Sequence, residues 1–203
     1  MKMTTANGYP VHISDGNMKL GPIHNFSLTP GATCSAEACL TCFLGGCYAC
    51  KSYNQYANVR RAWDDNTAAA LHDLAGLEKV LSDYFDSVTA PRFFRVHVGG
   101  DFVTYAYAEM WARIAAAHPG TRFLAFTKQW DNVRGIEWPE NFSLILSGWT
   151  GTTIPDDLRQ THRAADCVEK GQTPPTGAKE CGGDCSKCGF CWSPDRDLYF
   201  HKH

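Results

Sequence analysis

Between residues 23 and 147 short apolar stretches alternate with amphipathic ones, and that alternation leaves few folds open to the chain. Residues 23–28, 92–98, 122–127 and 143–147 read as strands. In the second of these, Phe94, Val96 and Val98 alternate with polar neighbours, as in a strand with one wetter face. Residues 51–87 read as helical, broken at Trp63-Asp64-Asp65-Asn66, with a second helix starting at Thr67. On it Leu71, Leu74, Leu77 or Val80, Leu81 and Tyr84 recur at three- or four-residue spacing, which core packing explains. Residues 104–118 put Tyr107, Met110, Trp111 and Ile114 on one stripe, and His118-Pro119-Gly120 ends that helix. Residues 156–168 also read as helical, and residues 1–22 as an irregular entry segment. The expectation is an α/β fold: an open parallel sheet of about four strands, or a shortened partial (β/α) barrel, followed by a cysteine-rich tail.

In a parallel sheet the ligand site lies where the C-terminal ends of the strands meet. That rule gathers four loops, residues 34–50, 99–102, 128–131 and 147–151. The first is CSAEACLTCFLGGCYAC, with Cys34, Cys39, Cys42, Cys47 and Cys50 inside one short loop. The start of the chain has no apolar stretch of the kind a secretory signal needs, and no run is long enough to span a bilayer. A cytoplasmic chain is therefore expected, with no membrane partner. In that reducing compartment ten cysteines point to metal rather than to disulfides. Apolar residues at 44% and charged residues at 20% are ordinary for a globular protein. A net charge of -2 argues against holding nucleic acid by bulk electrostatics, so a nucleic-acid partner would need a local basic face.

The sequence divides into a core, residues 1–170, and residues 171–203, a linker containing GQTPPTG and a second cysteine group. That group, Cys181, Cys185, Cys188 and Cys191, has the pattern C-x3-C-x2-C-x2-C, similar to the reverse of a bacterial ferredoxin run. Overlapping short steps suit an iron–sulfur cube. A structural zinc usually takes two pairs with a longer spacer, so zinc is the lesser alternative. The first group holds more thiols than one tetranuclear cluster needs: three ligands would leave an iron open to a small molecule, four would close it, and at least one is expected to be a free buried cysteine.

Gly99-Gly100-Asp101, after the second strand, allows two readings. Two glycines let backbone approach a ligand while the carboxylate accepts from a cationic group, or the three make a tight turn into the next helix. Lys128 and Ser147, with Gln129, Trp130 and Trp149, offer hydrogen bonds and a stacking surface to a ligand, although loop ends often carry such residues. His24 and His97 read as packed strand residues. Arg60, Arg61, Arg92, Arg95 and Arg134 read as a solvated charged face, with a polyanion site as the weaker alternative.

The strings NMKLGPIHNFSLTPGATC (17–34), GCYA (46–49), NVRRAW (58–63), FRVHVGGDF (94–102), FLAFTKQW (123–130), LILSGWTG (144–151) and CGGDCSKCGFCW (181–192) resemble the phage and plasmid "gene product 88" family. A wider resemblance is to radical S-adenosylmethionine (SAM) enzymes, in which a three-cysteine loop follows the first strand of a partial (β/α) barrel. In those enzymes a Gly-Gly-Glu turn after the second strand holds the cofactor's amino group. The order of features is the same here. Three departures stand out: Cys42-x4-Cys47-x2-Cys50 replaces C-x3-C-x2-C, Asp101 stands where glutamate is usual, and about four strands are expected where the barrel has six. The phage-family pattern selects Cys34, Cys42 and Cys47 instead. What the resemblance implies is two 4Fe–4S clusters, with SAM bound and reductively cleaved at the N-terminal one beside Gly99, Gly100 and Asp101. The C-terminal cluster would relay electrons or anchor a substrate. The rival expectations are a non-catalytic iron–sulfur protein that docks a host macromolecule, and a zinc-stabilised binding module.

Overall fold

The computed structural model describes residues 1–39, 47–87, 89–149, 152–193 and 196–201. A hairpin of β1 (Lys2–Thr4) and β2 (Pro10–His12) opens the chain, where an irregular segment was expected. Next come β3 (His24–Phe26), α1 (Tyr48–Gln55), α2 (Ala57–His72), α3 (Leu74–Phe85), β4 (Phe93–Val96), α4 (Tyr105–Ala117), β5 (Arg122–Thr127) and β6 (Phe142–Ser147). The chain then continues through α5 (Asp156–Arg159), β7 (Arg163–Val168), β8 (Lys179–Glu180), α6 (Cys185–Cys188) and β9 (Leu198–His201).

Strands β3 to β9 make one seven-stranded sheet in the order β3-β4-β5-β6-β7-β9-β8, and every neighbouring pair is parallel. The α/β class and the parallel sheet are as expected; the strand number is not. β7 lies where the sequence reads as helix, because RAADCV carries alanines that favour helices. The helix there stops after Asp156–Arg159, and Ala164, Ala165 and Val168 are buried in the sheet. β8 and β9 come from the tail, so the tail rejoins the sheet beside β7. Among the described residues the sheet is open, with β3 and β8 as its edges.

The period of two along the strands divides the sheet into two covered faces. Phe94, Val96, Phe123 and Ala125 pack with Leu77, Leu81 and Phe85 of α3 and with Tyr107, Trp111 and Ile114 of α4. Each such large side chain, when fully buried, contributes about 1.5–3 kcal/mol. On the opposite face Leu124, Ile145, Ala165 and Leu198 pack with Leu20 and Trp192, against which Phe93, Phe126, Phe190, Cys185 and Cys191 also rest. Helices cover one face and the cysteine tail covers the other.

Two local expectations change for physical reasons. α2 runs unbroken through Trp63–Asn66, because the Asn66 side chain does not cap a helix. Its Oδ1 accepts from the His12 amide at 2.7 Å, and its Nδ2 donates to the carbonyls of His12 and Ser27 at 3.0 and 2.9 Å. The break falls at Asp73, whose carboxylate accepts from the Gly76 amide and caps α3. Val98 leaves the face of Phe94 and Val96: β4 ends at Val96, His97 takes the left-handed conformation (φ 63°), and Val98 packs on the opposite cluster. Among the described residues no helix is long and apolar enough to cross a membrane.

Candidate metal centres

The loops after β3, β4 and β5 meet over one cavity of about 120 Å³, lined by Cys34, Cys39, Cys47, Cys50, Gly99, Gly100, Asp101 and Lys128, together with Tyr48, Arg95, His97 and Phe126. Cys39 closes a short helical turn at residues 36–39 and donates to the Gly31 carbonyl at 3.5 Å. Cys47 is the N-cap of α1 and Cys50 lies in its first turn, so their three-residue spacing brings both sulfurs to one side of the helix. Cys42 lies outside the described residues, as do residues 150 and 151 of the fourth loop. Ser147 joins the group through Lys128, whose Nζ donates to its Oγ at 3.1 Å.

Burial pushes the Cys34 thiol up to about 12 and the Cys50 thiol up to about 11; nearby Asp101, Cys39 and Cys47 add to the first shift and Cys47 and Cys39 to the second. Without metal these thiols are protonated at neutral pH, so ligation must expel protons and affinity rises with pH. Among the described residues no three His, Cys, Asp or Glu side chains are gathered as a ready-made site for a single ion. A four-iron cube holds its thiolates further apart than one ion does. The donor set available here, soft sulfur on apolar walls, is the set that selects iron–sulfur clusters or zinc.

The second group is built by the tail. Cys181, Cys185, Cys188 and Cys191 line one small cavity with Gly182, Gly183 and Trp192. α6 carries Cys185 and Cys188 one turn apart and ends at Gly189 in the left-handed conformation (φ 63°), which swings the chain back to Cys191. The turn is fastened to the sheet: Trp192 is 5% exposed, and the Cys191 carbonyl accepts from Ser143 Oγ at 2.7 Å and Arg163 Nη1 at 3.2 Å. The Cys185 amide donates to the Lys19 carbonyl at 2.9 Å. Burial raises Cys191 to about 11 and also raises Cys185.

The two glycines of the 99–101 turn answer to protein neighbours. A Cβ on Gly99 would sit 2.5 Å from the Trp63 ring, and one on Gly100 (φ +76°) would sit 2.6 Å from Thr33 Oγ1 and 2.8 Å from the Leu28 carbonyl oxygen. Asp101 does not cap α4, since Thr104 does so through the Tyr107 amide. Its carboxylate accepts from Thr127 Oγ1 at 2.6 Å, the Lys128 amide at 2.7 Å and the Phe102 amide at 2.8 Å. Burial raises its pKa and those donors pull the other way. Gln129 donates to the Thr33 carbonyl at 3.1 Å, and Trp130 and Trp149 contact each other with ring centroids 4.9 Å apart.

His97 is 3% exposed, its Nε2 bonds to the Tyr107 hydroxyl at 2.9 Å, and its Nδ1 has no partner among the described residues. Burial, helped by Arg95, holds it down at about 3 from an ordinary 6.5. The native state therefore keeps His97 neutral while the unfolded chain protonates it. Its stability contribution is fully present above pH 6.5 and lost as pH falls from 6.5 towards about 3. A displacement of that size corresponds to a few kcal/mol. We expect His97→Asn, which tolerates the left-handed backbone, to flatten the pH dependence of urea stability across that window in the metal-free chain; an unchanged slope would contradict the assignment.

Arg95 was expected on a solvated face. Instead it lines the first cavity, its Nε donates to the His97 carbonyl at 3.0 Å, and its guanidinium lies 4.3 Å from the Phe126 ring centroid. Tyr48, beside Cys47, donates to the Val98 carbonyl at 2.8 Å. Neither carries a motif. The signal available for Arg95 was its position between Phe94 and Val96 on a strand that turns out to be covered on both faces.

The Gene product 88 family model matches residues 2–177. The chain belongs to the Gene product 88 family. Similar proteins are the Gene 88 protein of Mycobacterium phage D29, 24% identical over 94% of this chain and 92% of the relative, and that of Mycobacterium phage L5, 23% identical over the same shares. Both relatives are phage proteins, as the sequence led one to expect, and neither name states an activity. No solved structure matches. The Gene product 88 match takes in the first cysteine group and the 99–101 turn and ends before Cys181, so the tail group lies beyond it.

Proposed function

We propose that this chain is an iron–sulfur protein with two 4Fe–4S-type centres on a radical-SAM-like core, the N-terminal centre binding SAM for reductive cleavage. The observation that carries the proposal is the cavity that brings Cys34, Cys39, Cys47 and Cys50 together with Gly99, Gly100, Asp101 and Lys128 at the C-terminal ends of β3, β4 and β5. Strands β3 to β7 follow one another in chain order across the sheet, an order that a partial (β/α) barrel also has. Iron and sulfide held by the first group would supply one electron to the sulfonium. The turn at residues 99–101 and Lys128 would wall the methionyl part, and Phe126 and the cavity's other apolar groups would keep water out. Tail thiols would hold the second centre against the sheet.

A second reading, a non-catalytic iron–sulfur protein, draws on two observations. Asp101 already accepts three hydrogen bonds, which limits its capacity for a cofactor amine. Four described thiols, enough to close a cluster completely, line the first cavity. Zinc at either group is the third reading, permitted by the same donors.

The test is to reconstitute the chain anaerobically, reduce it with SAM present, and assay 5′-deoxyadenosine while recording the cluster EPR signal. The proposal expects deoxyadenosine together with a SAM-dependent change in the signal. Intact clusters with neither effect would leave the non-catalytic reading.

A further inference from the structure

We infer that Arg95 and Lys128 form an oxyanion site in the first cavity, one that takes the carboxylate or phosphate group of a small molecule seated beside the cysteines. The site shares its cavity with the proposed N-terminal centre but needs no iron to form. What carries it is an excess of positive charge and of unanswered donors. Both cations line the cavity and are half-buried. Asp101, the one carboxylate among the described lining residues, already accepts from Thr127 Oγ1 and from the amides of Lys128 and Phe102. Neither cation makes an ion pair among the described residues; their hydrogen bonds go to the His97 carbonyl and to Ser147 Oγ. A third cation, Lys19, stands at the Tyr48 side of the cavity, its Nζ 5.8 Å from the centre of that ring.

The strands hold both side chains in place before any ligand arrives. The Arg95 guanidinium lies 4.3 Å from the Phe126 ring centroid, and its Nε donates at 3.0 Å to the His97 carbonyl, which the left-handed turn at the end of β4 presents. Its terminal amino groups bond to no described residue. They remain as a planar pair that matches the two oxygens of a carboxylate or phosphate. Lys128 stands two residues beyond Phe126, and with Nζ tied to Ser147 Oγ at 3.1 Å it keeps further N–H donors. A fork fixed in advance loses less freedom when it binds. Asn25 is an independent sign that acceptors are short on this side of the sheet. It pairs with Arg95 in the register of β3 on β4, is 4% exposed, and its Nδ2 has no partner among the described residues. A buried donor left without an acceptor is costly, so the fold leaves room here for a group that brings acceptors and negative charge. Thiols and apolar side chains make up most of the remaining wall, which screens that charge poorly.

The test is calorimetric titration of the full chain, purified anaerobically with its iron, sulfide and zinc counted. Sodium phosphate and sodium acetate are compared with sodium chloride at one ionic strength. An oxyanion is expected to bind where chloride does not, and the preference between phosphate and acetate names the group. Arg95→Gln and Lys128→Gln are each expected to weaken binding roughly tenfold or more. Arg95→Lys, which keeps the charge without the fork, should weaken it less. Arg61→Gln, at an exposed position of α2 outside the cavity, should bind as the parent does. Far-UV circular dichroism identifies a variant that has lost its fold, and if Arg95→Gln is one, Lys128→Gln carries the same prediction. No binding beyond chloride, or parent-like binding in both glutamine variants, overturns the site. Binding that appears only once metal is stripped from a metal-loaded chain also overturns it, since the cations would then answer the cluster's own charge. Metal analysis tests the iron–sulfur reading separately: clusters without anion binding remove only this inference, and anion binding in a chain that never carries sulfide removes only that reading.

Discussion

Serine at both Cys185 and Cys191 is expected to remove about half of the iron and sulfide from the anaerobically reconstituted chain, because the tail would hold one of two clusters. These two thiols rest against the apolar cluster around Trp192, whereas Cys181 and Cys188 are exposed, so they form the part of the tail that the sheet places most firmly. A serine hydroxyl, a harder donor with a far higher pKa, is a much poorer ligand to cluster iron than a thiolate, and two such replacements leave only two thiolates in the tail. The fold itself should survive, since Trp192, Leu198 and the pairing of β9 with β7 fasten the tail independently of metal. Far-UV circular dichroism and the unfolding midpoint of the metal-free chain check that point, with a change within about 1–2 kcal/mol expected for two half-buried conservative replacements. A variant that keeps its full iron and sulfide would contradict the assignment of the tail.

Gly100→Ala should destabilise the chain by about 3 kcal/mol or more, combining a residue forced to positive φ with overpacking of a close contact. The backbone there has φ +76°, and an added Cβ would meet Thr33 Oγ1 at 2.6 Å and Leu28 Cβ at 2.7 Å. Leu28 is fully buried and belongs to the main core, so the clash cannot be relieved at the surface. For a chain of this size the midpoint should fall by roughly 6–12 °C. Gly120→Ala is the control: a Cβ there meets nothing within 4 Å and the φ is ordinary, so the substitution should be neutral or stabilise by up to about 1 kcal/mol. Equal midpoints for the two variants would show that the turn at residues 99–101 is not the tight junction described.

The sequence carried the parallel sheet wherever local pattern and tertiary environment agreed. Residues 122–127 are a short apolar run bounded by turn residues, and β5 covers those positions. Thr104 and His118-Pro119-Gly120 similarly frame α4. Legibility failed where a distant partner decides the conformation. RAADCV becomes β7 only because β6 and β9 flank it, and the tail yields strands because β9 inserts between β7 and β8. Asn66 looks like a cap in sequence, but its amide is taken by His12 and Ser27, far away in the chain. At the candidate site, spacing alone was enough to single out both cysteine groups, and the strand-end rule brought Gly99, Gly100, Asp101 and Lys128 to the first of them. His97 was legible as a packed residue but not as the left-handed turn that ends β4, and Arg95 was not legible in the first cavity, because its neighbours there come from loops distant in the chain.

The central claim is that both cysteine groups hold iron–sulfur clusters, and the most direct measurement is quantitative iron, acid-labile sulfide and zinc analysis of the full chain purified under strict anaerobiosis. Two tetranuclear clusters predict about eight iron and about eight sulfide per chain, with little zinc. A colourless chain that carries zinc and no sulfide would contradict the claim.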